Sequence, residues 1–78
     1  MTQNKTPGLY PDTKAGAVEC LKNESTYDMT QVRRVKADPY YEGVWAVDLY
    51  SGTRVIVYLR GYGDNKDKTY NDFEEVEP

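Results

Sequence analysis

Hydrophobic and polar positions alternate most clearly between Gly43 and Arg60. Residues 44–50 read VWAVDLY and residues 53–60 read TRVIVYLR, two runs rich in β-branched and aromatic types around Ser51-Gly52. Such a pattern predicts a β-hairpin. Its register follows from parity. A two-residue loop would set Leu49 against Arg54 and Val47 against Ile56, mixing charge into both faces. A three-residue loop, Tyr50-Ser51-Gly52, sets Leu49 against Thr53, Asp48 against Arg54, Val47 against Val55 and Trp45 against Val57. One face then carries Trp45, Val47, Leu49, Val55, Val57 and Leu59, all apolar, while Asp48 meets Arg54 on the other with Val44, Ala46, Ile56, Tyr58 and Arg60. The third loop position favours a left-handed residue, and Gly52 stands there.

Upstream, Ala15, Val18 and Leu21 recur at spacing three, with Ala17 and Cys20 beside them. This predicts a helix over 13–22, opened by the oxygen-bearing side chains of Asp12-Thr13 and stopped by a left-handed Asn23. Gly16 in its interior costs about 1 kcal/mol relative to alanine. Residues 1–11, with two prolines, read as an irregular arm that Leu9 and Tyr10 can pin to the body.

Met29 to Ala37 admits two readings. Val32 and Val35 suit a helix capped by Ser25 with Asp28 three residues on, whereas β-branched Thr30, Val32 and Val35 favour a strand over 30–37. The strand is preferred, because a hairpin gains from a third strand and Asp38-Pro39-Tyr40-Tyr41-Glu42-Gly43 makes a good connection. At the other end Tyr70, Phe73 and Val76 again recur at spacing three, which suits a short helix capped by Thr69 with Asp72; a closing edge strand is the other reading. The expected fold class is α+β: a small domain over 12–78 in which one N-terminal helix packs on a three- to four-stranded antiparallel meander.

Composition sharpens the picture. Only fourteen of the 78 residues are Leu, Ile, Val or Phe, thin for a core, yet there are eight tyrosines, each able to bury a ring and keep its hydroxyl wet. The net charge of −3 is low for a disordered chain. It is also uneven. Residues 64–78 hold six acidic and two basic groups, a net of −4, whereas residues 1–63 hold eight basic and seven acidic groups.

Candidate chemistry is sparse. The chain has no histidine, the usual general base near neutral pH. Cys20, the single cysteine, lies beside the apolar helix positions as a small buried hydrophobe and cannot form an internal disulfide. A twelve-residue stretch from Asp64 to Glu75 resembles a calcium loop only in outline, since Lys66 and Lys68 occupy ligand positions and Thr69 stands where the turn needs glycine. Arg60-Gly61-Tyr62-Gly63 opens like an RNA-binding motif but continues with Asp64-Asn65 instead of stacking residues. No metal or cofactor is expected, and no enzymatic activity. There is no apolar run of membrane-spanning length and no apolar leader, so a cytoplasmic location and no membrane partner are expected.

What remains is surface. The expected function is a non-catalytic interaction module that binds and inhibits or modulates a larger macromolecule, in the manner of accessory proteins of phages and mobile elements. Its contact residues would be Tyr40, Tyr41 and Tyr62 as anchors with Asp64, Asp67, Asp72, Glu74 and Glu75 as an acidic surface. The partner would be a protein with a basic surface, such as a nucleic-acid-binding protein whose ligand the carboxylates imitate. A different reading is a small nucleic-acid- or ligand-binding β-domain using Arg33, Arg34, Arg54, Tyr58 and Arg60, though a net acidic chain is poorly matched to phosphate. A third is a structural subunit that pairs with itself as a homodimer through a sheet edge or the second hairpin face.

Overall fold

The structure is a computed structural model that describes residues 8–77. One helix, α1 (Lys14–Glu24), packs on a sheet of four strands, β1 (Val32–Ala37), β2 (Val44–Leu49), β3 (Arg54–Tyr58) and β4 (Asp72–Val76). The strands lie in the order β1-β2-β3-β4, each antiparallel to the next, so the chain forms the expected α+β meander with four strands.

The hairpin has the register that parity predicts. Val47 opposes Val55, Trp45 opposes Val57 and Asp48 opposes Arg54. The Leu49 amide donates to the Thr53 carbonyl and Gly52 turns with a φ of 99°. The inner face so produced builds the core from Val35, Val47, Leu49, Val55, Val57 and Leu59, closed by Ala17, Cys20 and Leu21 of α1. Three tyrosines complete its margin. Tyr10, Tyr27 and Tyr62 pack against this cluster with Trp45 and Phe73, each ring adding apolar area that the scarce aliphatics do not supply. Tyr10 thus fastens the arm, while Leu9 stays exposed; residues 1–7 of the expected arm lie outside the described residues.

Helix α1 departs from expectation in three ways. The Thr13 hydroxyl caps it by accepting from the Gly16 amide, but the helix runs on to Glu24 and ends at an extended Ser25. Asn23 is therefore helical, not left-handed, and its amide group donates to Tyr10 and Glu19 instead. The buried stripe is Gly16, Ala17, Cys20 and Leu21, with Ala15 exposed. Gly16 explains the rotation. A Cβ there would lie 2.0 Å from the Pro11 carbonyl oxygen, so the incoming chain crosses the helix at the one residue without a side chain.

Of the two open readings, both resolve to strands. Residues 32–37 form β1 after a 3-10 turn over Met29–Gln31, which Asp28 caps by accepting from the Thr30 amide. Pairing slips between Val32 and Arg34, leaving Arg33 as a bulge at the sheet edge. The helical reading of 69–77 is overturned. Residues 72–76 form the edge strand β4, with Phe73 opposite Val57 packing against the core and Val76 opposite Arg54 on the outer face. Residues three apart alternate faces in a strand, so the apolar spacing there reflects two different surfaces.

Candidate functional site

Both faces of the sheet start from the same alternation, but only the inner one is covered by α1. At one end of the outer face two connections rise together. The first, 38–43, is shaped by Asp38, whose Oδ1 accepts from the amides of Tyr40 at 2.8 Å and Tyr41 at 2.9 Å. The second, 59–71, contains a 3-10 turn over Gly63–Asn65. They meet at two glycines. A Cβ on Gly43 (φ 76°) would lie 2.6 Å from the Tyr62 Cβ, and one on Gly63 (φ 51°) would lie 2.8 Å from the Glu42 carbonyl oxygen. The Gly63 amide also donates to the Glu42 carboxylate at 3.3 Å.

This junction encloses a groove of about 420 Å3. Val44 and Ile56 form its apolar floor, Tyr41 and Tyr58 bring aromatic rings, and Asp38, Glu42 and Asp64 bring carboxylates, with Asn65 beside them. No lysine or arginine is among the lining residues. The Tyr58 hydroxyl donates to Glu74 at 2.6 Å, and that hydrogen bond, with burial and neighbouring carboxylates, pushes its pKa up to about 12. The ring therefore stays neutral at any physiological pH.

The residues read from sequence as an acidic, tyrosine-bearing surface are only partly brought together. Tyr41 and Asp64 line the groove, and Tyr40, 87% exposed, projects from the same turn. Tyr62 is no exposed anchor; it is half-buried against the core, because Gly43 lets it approach. Asp67 is exposed in the second connection. Asp72 and Glu74 lie on the outer face of β4, opposite Tyr58 and Ile56, but Glu75 pairs with Val55 on the other face and accepts from the Tyr27 hydroxyl at 2.6 Å. Consecutive strand residues point apart, so Glu74 and Glu75 cannot belong to one surface.

The basic set is likewise divided. Arg33, Arg34 and Arg54 line a second groove, of about 250 Å3, at the far end of the outer face with Gly52, Val76, Asp48 and Glu77. Asp48 engages two of the three: Arg54 approaches it in two contacts at 2.6 and 3.2 Å, and Arg34 in one at 3.4 Å. Tyr58 lies at the opposite end of β3. Arg60, beyond it, donates through Nε to the Gly8 carbonyl. The five residues thus form no continuous basic face.

Cys20 is fully buried in the core, and burial followed by the nearby Glu24 charge pushes its thiol up to about 12. Among the described residues no cluster of metal-ligand types gathers, and no helix is long and apolar enough to cross a membrane.

Sequence reasoning missed Asp38, Glu42, Val44, Ile56 and Asn65 as parts of one site. A signal existed in Gly43 and Gly63, one in each connection, but glycines announce a close approach without saying to what. No protein-family model, curated protein or solved structure matches the chain.

Proposed function

We propose that the protein is a non-catalytic interaction module of the cytoplasm that binds a basic segment of a larger partner protein and so inhibits or modulates it. The observation that carries this reading is the groove at the end of the outer sheet face, where two tyrosine rings, an apolar floor and three carboxylates converge with no lysine or arginine among its lining residues. An arginine side chain suits such a lining. Its guanidinium stacks on aromatic faces, pairs with carboxylates through a planar fork, and is weakly hydrated, so it loses little on leaving water. The methylene stem finds Val44 and Ile56. Exposed Tyr40 offers further contact area on a turn held by Asp38.

The test uses an arginine-bearing peptide and its citrulline counterpart, which keeps the shape and loses the charge. The arginine peptide is expected to move the NMR amide signals of Tyr41, Val44, Tyr58 and Asn65, and the citrulline peptide to leave them in place. The double variant Glu42→Gln/Asp64→Asn is expected to weaken binding by about tenfold, since two partly exposed charge contacts are together worth about 1–2 kcal/mol. Its melting temperature should stay unchanged, glutamine still accepting from Gly63. Equal response to both peptides, or equal affinity of the double variant, rejects the reading.

A further inference from the structure

The register arranges the outer face in three rows. Arg34, Asp48, Arg54 and Val76 make one, and Lys36, Ala46, Ile56 and Glu74 the next. Beyond them Val44, Tyr58 and Asp72 follow, with Asp38 joined to Val44 through its backbone amide. Charge changes sign across these rows. The β1 edge carries Arg33, Arg34 and Lys36, the β4 edge carries Asp72 and Glu74 with Glu77 just past its end, and the middle strands present Val44, Ala46, Ile56 and Tyr58.

We infer that this face pairs with the same face of a second copy of the chain, about a two-fold axis lying in the interface parallel to the strands. Such an axis lays β1 on the second copy's β4 and β2 on its β3, keeping each row on itself. Lys36 then meets the second copy's Glu74, and Arg33 and Arg34 meet the end of β4 that carries Glu77. In the middle, small Ala46 meets Ile56, Val44 meets Tyr58 and Asp48 meets Arg54. Every one of these contacts occurs twice. Stacked sheets cross at about −30°, an offset that the long side chains of Lys36 and Glu74 span. One juxtaposition opposes pairing, Asp38 over Asp72, although Asp38 is already engaged by the amides of Tyr40 and Tyr41.

The face is small. Four strands at spacings of about 4.8 Å and five residues of about 3.4 Å rise make it some 19 by 17 Å, below the roughly 800 Å2 per partner of a stable interface. The pairing is therefore reversible and dependent on concentration. Because Val44 and Tyr58 belong to both surfaces, self-pairing closes the groove to a basic segment.

Sedimentation of the whole chain from micromolar to millimolar concentration tests the inference. The average mass is expected to rise from that of the monomer towards twice that value, less so at high salt. Lys36→Glu and Glu74→Lys should each raise the concentration of half-association by about tenfold or more, through like charges set opposite each other. The double exchange Lys36→Glu/Glu74→Lys should restore association. The two positions stand at opposite sheet edges, about three strand spacings or 14 Å apart, so a rescue cannot arise within one copy. A monomer throughout the range, or self-association that neither single reversal weakens, overturns the inference. Neither readout depends on what the groove binds.

Discussion

Asp48 shows how much one residue's neighbours decide. Its carboxylate is 7% exposed and receives Arg54 in a two-pronged contact and Arg34 from the strand on the other side. Hydrogen bonding from Arg54 holds its pKa below the ordinary carboxylate range, against the opposing effect of burial, with Arg34 adding to the effect. A carboxyl depressed in the folded state stabilises the fold above its unfolded pKa, near 4 for aspartate, and this contribution is lost as pH falls through the folded value. Asp48→Asn should thus cost about 1–2 kcal/mol at neutral pH, and the difference from the parent should shrink in urea titrations at about pH 2–3. A difference that holds constant with pH would show that charge is not the cause. The pairing of Asp48 with Arg54 was legible from the loop length. Arg34 was not, because its alignment depends on the bulge at Arg33.

Among elements, the hairpin and β4 stand at opposite extremes of legibility. The hairpin carries its instructions locally: alternation, a short loop and a glycine at the left-handed position. Strand β4 carries few. Its five residues include three acids, and it becomes a strand because Phe73 reaches the core and because the Tyr58 and Tyr27 hydroxyls donate to Glu74 and Glu75. All of those partners are distant in sequence. The two connections that build the groove depend on Gly43 in the same way. Gly43→Ala would force a side chain onto Tyr62 at a positive φ, and should destabilise the protein by about 1–3 kcal/mol. For a chain of this size that is a fall of roughly 4–8 °C in melting temperature per kcal/mol, measurable by circular dichroism. An unchanged melting temperature would mean that the junction can relax and the groove is less fixed than its geometry indicates.

Across the whole molecule, the N-terminal arm, helix and last strand are joined through one buried amide. Asn71 accepts from the Arg60 backbone and donates to the Gly8 carbonyl and to both carboxylate oxygens of Glu24, while Glu24 also accepts from the Gly8 amide. Asn71→Ala removes the acceptor of the Arg60 amide and a donor to the Glu24 carboxylate. It should cost about 1–3 kcal/mol and speed hydrogen exchange at the amides of Gly8 and Arg60 more than in the hairpin. Uniform acceleration over the whole sheet would instead mean that only global stability had changed. On the same scale stands the net charge of −3. Four of the six acidic groups in the last fifteen residues lie in or next to β4, exposed and shared between its two faces.

The sequence by itself determined the α+β class, the helix near 13–22, the hairpin with its register and the apolar face that became the core. These follow from periodicity and turn chemistry, which act between neighbours along the chain. Only the tertiary structure decided which tyrosines are buried, which carboxylates share a surface, and that Asp38, Tyr41, Glu42, Tyr58 and Asp64 line one groove. The physical reason is that a groove is made where separate segments touch. Here contact is permitted by two glycines whose missing side chains fit neighbours nineteen or more residues away, a complementarity that no local pattern encodes.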